Sequence, residues 1–417
     1  MEIQRDIYLR ELIDRKHNGL IKVVTGVRRC GKSYLLFNLF HEHLIRQGVP
    51  MSHILEYALD DRRNKELRNP DFLYEHILSL ITDDDMYYVI LDEVQYLGEF
   101  ADVLNSFLHV PNIDVYVTGS NSKFLSSDVV TEFRGRGDEV HIYPLSFSEF
   151  YAAVGGDKYE AWNDYYTYGG LPLIVTRSTP KQKADYLVNL FKETYIKDII
   201  ERNRIRNDDD FEELIDILAS SVGSLTNPQK LSDTFKSVKK SSVSAATIKQ
   251  YLRYLEEAFL VENARRYDLK GKRYINTPSK YYFVDVGLRN ARLNFRQQEE
   301  NHIMENIIYN ELRIRGFNVD VGIVEINEKT ENGKYTRKAL EVDFIANQGN
   351  KRYYVQSAFE INSADKKEKE RRSLVNIDDS FKKIIVIKEN IKPKRDDNGI
   401  VTMGIIEFLL NPDSLDI

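Results

Sequence analysis

Residues 26–33 read GVRRCGKS and fit the spacing GxxxxGKS, a glycine-rich loop that ends in a lysine and a serine. The glycines let the backbone curl so that successive N–H groups face one phosphate, and a following helix adds its positive end. Lys32 would contact the β and γ oxygens of a nucleotide, and Ser33 would bind Mg²⁺. An apolar strand precedes Gly26 and an amphipathic helix follows Gly31, as this motif requires. The predicted nucleotide contacts are Gly26, Val27, Arg28, Arg29, Cys30, Gly31, Lys32, Ser33 and Tyr34.

A second motif, MYYVILDEVQYL at residues 86–97, is an apolar strand that ends in Asp92 and Glu93. Asp92 would hold Mg²⁺ through its water shell, and Glu93 would polarise the attacking water. An acidic pair at a strand end can also be only a solvated terminus. Two such motifs in this order predict a Mg²⁺-dependent P-loop ATPase with a parallel sheet.

Three further segments extend the pattern. IDVYVTGSNSKFL at residues 113–125 is the next strand, and its polar end at Ser120 and Asn121 fits a sensor of the γ-phosphate. FRGRGDEVHIYPLSFSEF, at residues 133–150, places Arg134 and Arg136 before another strand. With GVRRCGKS, ILDEVQ and YTYGGLP, these segments resemble the bacterial and archaeal AAA-like ATPases that carry an uncharacterised, nuclease-like C-terminal domain.

The resemblance covers nearly the whole chain and implies roles for single residues. Arg136 would be an arginine finger offered to a neighbour's nucleotide, which requires a homo-oligomer, and Asn121 would be the sensor. For both Arg134 and Arg136, a surface salt bridge is an equally good explanation.

From residue 211, two amphipathic segments, a helix over about residues 245–257 and a Lys-, Arg- and Tyr-rich hairpin give the order of a winged-helix domain. Between Lys236 and Lys280 there are eleven basic and four acidic residues, a charge of +7 within a chain of net charge −6. These cations would hold the phosphates of double-stranded DNA without reading its sequence. A protein-docking winged helix is the alternative, because Glu256 and Glu257 acidify the same helix. The candidate DNA contacts are Lys249, Arg253, Arg265, Arg266, Lys270, Lys272 and Arg273.

Residues 340–361 read LEVDFIANQGNKRYYVQSAFEI, two β-type runs about a turn. The restriction-endonuclease superfamily places Asp and then Glu-x-Lys on such a hairpin, after a helix that carries an acid; Glu305 and Asp343 fit the acids. Gln356 stands where a second metal carboxylate is expected, and Ala358 replaces the lysine. Lys351 or Arg352 would have to reach across the turn, and Glu360 would be a displaced carboxylate. We therefore expect a nuclease scaffold rather than an active nuclease.

Composition bounds these assignments. The chain has 417 residues, enough for two or three domains, with 42% hydrophobic and 30% charged residues. No apolar run approaches the roughly 20 residues of a membrane helix, and the one cysteine excludes an internal disulfide, so we expect a cytoplasmic protein with no membrane partner.

The sequence thus predicts an α/β protein in three parts: an AAA-like P-loop ATPase domain with a helical lid (1–205), a winged-helix domain (206–290) and a restriction-endonuclease-like α/β domain (291–417). The cofactors are ATP and Mg²⁺. Three functions fit: a DNA-associated ATPase switch, a regulatory ATPase that recognises a protein partner, and an ATP-gated nuclease.

Overall fold

The computed structural model describes residues 3–119, 133, 135–239, 243–296, 299–329, 335–359 and 364–417. The chain forms two compact units, Met1–Pro144 with Glu257–Phe259, and Leu145–Glu256 with Leu260–Ile417.

The first unit is built on a five-stranded parallel sheet in the order β2-β3-β4-β1-β5. Every residue of β1, β3 and β4 is buried, as expected for strands covered on both faces. Because β4 lies between β1 and β3, the loops after these three strands meet at one edge of the sheet. The strands are β1 (Ile21–Gly26), β2 (Ile54–Ala58), β3 (Tyr87–Asp92), β4 (Ile113–Thr118) and β5 (Gly137–Ile142). The helices are α1 (Asp6–Asp14), α2 (residues 32–46, π-helical over Leu35–Phe40), α3 (Pro70–Leu80) and α4 (Phe100–Phe107).

The second unit begins with helices. Ser146 and Glu149 form a capping box that starts the first of them, and Asp157 caps the second. The helices up to residue 257 are α5 (Phe147–Val154), α6 (Lys158–Tyr168), α7 (residues 180–203, π-helical over Phe191–Ile196), α8 (Asp208–Ser220), α9 (residues 228–239, π-helical over Phe235–Lys239) and α10 (Ala245–Glu257).

An eight-stranded mixed sheet follows, in the order β12-β13-β11-β10-β9-β8-β6-β7. Its strands are β6 (Val261–Asp268), β7 (Arg273–Phe283), β8 (Asn318–Lys329), β9 (Tyr335–Gln348), β10 (Lys351–Ala358), β11 (Lys382–Ile387), β12 (Lys394–Arg395) and β13 (Val401–Gly404). The associated helices are α11 (Val286–Arg292), α12 (Glu300–Ile314), α13 (Ala364–Val375) and α14 (Ile405–Leu410).

Two arrangements in this unit bear on the predictions. Thr226 and Ser279 form an antiparallel bridge with N–O distances of 2.8 and 2.9 Å, which ties the segment between α8 and α9 to the β6–β7 hairpin. Further along, α12 is followed by the antiparallel meander β8–β9–β10, by α13, and by β11 parallel to β10. The hairpin predicted at residues 340–361 is therefore present as β9 and β10.

The division into units differs from the predicted domain boundaries at 205/206 and 290/291. Residues 145–205, assigned to the ATPase domain as a lid, lie in the second unit. The predicted wing hairpin is not confined to a domain that ends at 290, because β6 pairs in parallel with β8 through Arg266–Val321 to Asp268–Ile323. Backbone pairing thus makes the hairpin the edge of the C-terminal sheet.

Candidate functional site

The loop between β1 and α2 has the backbone that the glycine spacing predicts. Gly26 has φ +136° and Gly31 has φ +103°, values that favour glycine. A Cβ on Gly26 would lie 2.2 Å from the carbonyl oxygen of Ile142. Arg29 also has a positive φ, of 68°. The tight loop therefore depends on Gly26 for space and on both glycines for conformation.

The Lys32 ammonium is folded against the start of this loop. Its Nζ donates to the carbonyl oxygens of Gly26 at 3.0 Å and Val27 at 3.2 Å, and the residue is buried. Of the other predicted contacts, Val27 and Cys30 are buried, whereas Arg28 and Arg29 are exposed. The loop thus presents backbone and one ammonium, and its two arginines face solvent.

A cluster of oxygen ligands lies at the carboxyl ends of the neighbouring strands. The Ser33 side chain is hydrogen-bonded to the Asp92 carboxylate, and the Thr118 hydroxyl donates to Asp92 Oδ1. Burial raises the pKa of Asp92, and the hydrogen bonds from Thr118 and Ser33 oppose this shift. Hydroxyl and carboxylate oxygens are the ligands that Mg²⁺ prefers, so Ser33 and Asp92 fit the ion predicted for them.

Glu93 sits on a constrained backbone beside this cluster. Its φ is +53°, in the left-handed region, and its N–H donates to the Thr118 hydroxyl at 3.0 Å. Its carboxylate accepts a hydrogen bond from the Gln95 amide. Thr118 therefore bonds to the Asp92 carboxylate and to the Glu93 backbone, a role that the sequence analysis assigned to no residue.

Arg5 is a second residue that the sequence analysis missed. It is buried, and it donates from Nη1 to the carbonyl oxygen of Cys30 at 3.3 Å and from Nη2 to that of Tyr143 at 2.5 Å. The Cys30 carbonyl and the Gly31 N–H belong to one planar peptide and point in opposite directions. By bonding to this carbonyl, Arg5 constrains the orientation of the peptide that carries the Gly31 N–H.

Two predicted residues, Asn121 and Arg134, lie outside the described residues. Arg136 is exposed, and its backbone N–H donates to the carbonyl of Phe133 at 2.8 Å. Its assignment as an arginine finger stays a prediction.

Most of the basic residues predicted as DNA contacts are exposed at the surface of the second unit. Arg265 lies over the ring of Tyr274, 4.3 Å from its centroid, and Tyr274 is half exposed. Arg273 is 3.6 Å from the Asp268 carboxylate. Arg266 is half-buried, and the remaining candidates are exposed: Lys249, Arg253, Lys270 and Lys272. The hairpin therefore presents cations and an aromatic ring together.

The nuclease-like hairpin differs from the prediction in its lysine. Lys280, on β7, enters the site and lies 2.8 Å from Glu305 Oε1, 2.8 Å from Glu341 Oε1 and 3.5 Å from Asp343 Oδ1. We call these three acids and Lys280 the carboxylate cluster. The hydroxyl of Tyr282 donates to Glu305 at 2.6 Å.

The expected substitutes do not supply this cation. Lys351 pairs with Asp416 at 3.2 Å, and Arg352 donates to Asn347 at 2.7 Å. Ala358 is buried in an apolar core with Leu374 and Ile387, and Glu360 lies outside the described residues. Lys280 was not considered in the sequence analysis because it lies outside the hairpin, on β7.

Gln356 contacts the carboxylate cluster through the backbone N–H of Asp343. Its side-chain oxygen accepts from the Asp343 N–H at 3.3 Å, and its amide donates to Glu370 at 3.3 Å. The other Asp343 oxygen, Oδ2, accepts from the Ser357 N–H at 2.9 Å. Asp343 also lies at a β-bulge, because the β8–β9 register shifts between Asp320 and Gly322, and bulges re-aim side chains.

Burial and charge shift the ionisation of the cluster. Burial raises the pKa of Asp343 to about 8; the Lys280 charge opposes this shift and Glu305 and Glu341 add to it. Burial alone would lower the pKa of Lys280, but the charges of Glu305, Asp343 and Glu341 outweigh it and raise that pKa. The neighbouring carboxylates therefore favour the charged form of Lys280, and burial favours the neutral form of Asp343.

The chain was compared with known families and proteins. A family model described as "AAA domain" (AAA_14) matches residues 18–151, and "Domain of unknown function (DUF8612)" matches residues 159–299. An uncharacterized protein of Haemophilus influenzae is 33% identical over 414 residues, 98% of each chain. The uncharacterized protein MJ1544 of Methanocaldococcus jannaschii is 28% identical over 381 residues, 87% of this chain and 79% of the relative.

Solved structures that match parts of this chain include the Walker-type ATPase PABY2304 of Pyrococcus abyssi, with TM-score 0.47 and 15% identity over 70% of this chain and 96% of that chain. The Aeropyrum pernix ORC2 protein has TM-score 0.37 and 12% identity over 61% of this chain and 85% of that chain. Both likenesses are too distant to bear on function. Within the described residues, none of the helices is long and apolar enough to cross a membrane.

Proposed function

Since this chain belongs to the same family as the uncharacterized Haemophilus influenzae protein and has an AAA domain over residues 18–151, we propose that it binds and hydrolyses Mg-ATP. We further propose that this cycle switches a winged-helix and nuclease-like module on double-stranded DNA.

One observation carries the ATPase assignment: Ser33 and Thr118 converge on Asp92 at the end of three neighbouring strands, with Glu93 bonded to the same threonine. In hydrolysis, Lys32 exchanges its bonds to the Gly26 and Val27 carbonyls for bonds to phosphate oxygens. Ser33 and Asp92 would hold Mg²⁺, which when bound neutralises charge on the β- and γ-phosphates.

Glu93 has the role of polarising water. The water oxygen bonds to the γ-phosphorus, the bond from that phosphorus to the bridging oxygen breaks, and a water proton passes to the carboxylate. For this, Glu93 exchanges its present hydrogen bond from Gln95 for one from water.

The DNA assignment is supported by element order and charge. Helices α8, α9 and α10, the Thr226–Ser279 bridge and the β6–β7 hairpin follow the order of a winged helix. Lys270 and Lys272 are exposed near the hairpin tip, where phosphate contacts need no sequence readout. The acids Glu256 and Glu257 on α10 favour the alternative, a protein partner.

The order helix, three antiparallel strands, helix, parallel strand from α12 to β11 supports a restriction-endonuclease-like core. We propose that this core is a scaffold without nuclease activity, since Gln356 replaces a metal carboxylate. Exposure of Arg136 is consistent with a finger that acts on a neighbouring subunit, so we also propose an oligomer in the presence of ATP.

The test is steady-state ATP hydrolysis with and without double-stranded DNA at low and moderate salt. Lys32→Ala should abolish nucleotide binding, and Glu93→Gln should leave binding intact and stop turnover. If Glu93→Gln hydrolyses ATP at the wild-type rate, the assignment of the catalytic acid is wrong.

DNA binding is tested by reversing the charge of two lysines, with a matched pair of lysines as the control. Lys270→Glu with Lys272→Glu should weaken DNA stimulation and reduce the slope of log affinity against log salt by about 2. Lys392→Glu with Lys394→Glu, two exposed lysines at the opposite edge of the sheet, should not. An ATPase rate that DNA does not change would favour the protein-recognising alternative. Cleavage of the DNA would show that the C-terminal module is an active nuclease.

A further inference from the structure

Lys280 is a buried ammonium among three carboxylates. Its side chain is 4% exposed, and its Nζ lies 2.8, 2.8 and 3.5 Å from Glu305, Glu341 and Asp343. It donates hydrogen bonds to Glu305 and Asp343. The acids come from two elements, Glu305 from α12 and both Glu341 and Asp343 from β9. One ammonium therefore connects β7, α12 and β9.

This arrangement has the form of a coordination site. A divalent ion in an all-oxygen site gathers carboxylate oxygens around one point, and the ammonium nitrogen gathers the same groups here. Burying carboxylates without a cation costs several kcal/mol or shifts them to the neutral form.

We infer that Lys280 is the built-in cation of the carboxylate cluster: it takes the place that a divalent metal ion would occupy, so that this module holds its fold without metal. Close packing supports this assignment. Gly223, with φ +72°, lies so near Glu305 that a Cβ there would be 3.0 Å from Oε1, and Tyr282 donates to that same oxygen. Glu305 is thus held towards Lys280 from two further sides.

The contrasting arrangement would be a metal bound by the acids with Lys280 standing beside it as a catalytic group. In that arrangement the ammonium would have to give up its carboxylate partners and remain buried. In the observed geometry Lys280 donates to Glu305 and Asp343 and pairs with Glu341, the same carboxylates that a metal would need, so the two cations compete for one place.

The inference is tested with Mn²⁺ as the probe, on the full chain without nucleotide, by electron paramagnetic resonance titration and thermal unfolding. Lys280→Ala should lower the unfolding temperature in EDTA, gain a Mn²⁺ site absent from the wild type, and recover unfolding temperature when Mn²⁺ is added. Asp343→Asn in the Lys280→Ala background should remove the gained site. Lys338→Ala, which breaks an exposed pair with Glu328 at 3.1 Å, is the control and should gain no site.

Two results would overturn the inference: Mn²⁺ binding by the wild type that Asp343→Asn abolishes, or a folded Lys280→Ala protein that gains no site. If Lys280→Ala does not fold, Lys280→Met keeps the bulk of the side chain and carries the same expectations. The wild-type comparison with Asp343→Asn decides independently, because an Asp343-dependent ion in the wild type contradicts a built-in cation. Neither readout involves ATP, so failure here is distinct from failure of the proposed ATPase.

Discussion

Replacing Asp285 by asparagine should remove a pH dependence from the stability of the second unit. Asp285 is fully buried at the start of α11, where Oδ1 accepts from the Leu288 N–H at 3.0 Å and Oδ2 from the Gly170 N–H at 2.7 Å. A Cβ on Gly169 would lie 2.3 Å from Oδ1. Gly169, the first glycine of YTYGGLP, is therefore required for the close approach of this carboxylate.

The size of this pH-dependent change in stability follows from the pKa of Asp285 in the folded protein. Burial raises the pKa of Asp285 from an ordinary value of 3.8 to about 6, against the opposing effect of backbone N–H groups such as that of Gly170. Because the folded pKa is the higher one, the contribution of this group to stability is complete below the unfolded pKa and is lost as pH rises through the folded pKa. A shift of about 2.2 units corresponds to about 3 kcal/mol, lost between about pH 4 and pH 6.

The assay is urea unfolding at pH 4 to 7, followed by fluorescence of Trp162, the only tryptophan of the chain, which lies on α6 in the same unit. The wild-type midpoint should fall relative to Asp285→Asn by about 1 M or more across this range. Asp157→Asn, at an exposed helix cap, is the matched control and should keep the wild-type profile. Parallel profiles for wild type and Asp285→Asn would refute the reasoning.

Two further predictions concern the nucleotide site. Arg5→Gln should weaken ATP affinity about tenfold or more, since a hydrogen bond to a charged group contributes about 1.5–3 kcal/mol. Arg10→Gln, an exposed residue of the helix α1 that follows Arg5, is the control and should leave ATP affinity unchanged. Equal ATP affinities for the two variants in nucleotide titrations would contradict the role of Arg5. Thr118→Val should lower kcat with little change in ATP affinity, because the hydroxyl holds Asp92 and the Glu93 N–H, and Thr118→Ser should restore turnover. An unchanged kcat for Thr118→Val would contradict that role.

Contiguous residues with a fixed chemistry were predictable from the sequence. GVRRCGKS carries its own backbone requirement, which the positive φ of Gly26 and Gly31 meets, and LDE directly ends a buried strand. Arg5 and Thr118 were missed because their roles depend on strand order: β4 lies between β1 and β3, and only the folded sheet places Thr118 against Asp92.

The same limit applied to the lysine of the nuclease-like hairpin. The sequence analysis searched near Ala358, while the cation comes from β7, 63 residues before Asp343. The β6–β8 pairing adds the β6–β7 hairpin to the C-terminal sheet and brings Lys280 on β7 close to Asp343 on β9. Because the sequence analysis assigned this hairpin to a separate domain, it did not predict that contact. Local pattern identified Glu305 and Asp343, whereas Glu341 and the counter-ion Lys280 became apparent only from the folded sheet.

Two of the buried lysines, Lys32 and Lys280, differ in the charge of the groups they contact. Lys32 is bonded to the neutral carbonyls of Gly26 and Val27, and a phosphate oxygen offers a stronger, charge-assisted bond than either. Lys280 already has charged partners in Glu305 and Glu341, so an anionic ligand would gain little by displacing them and would leave buried carboxylates unpaired. The geometry therefore favours exchange of the Lys32 bonds for bonds to a nucleotide phosphate. It favours retention of the ion pairs of Lys280, so we expect nucleotide at Lys32 and a metal-free ion cluster at Lys280.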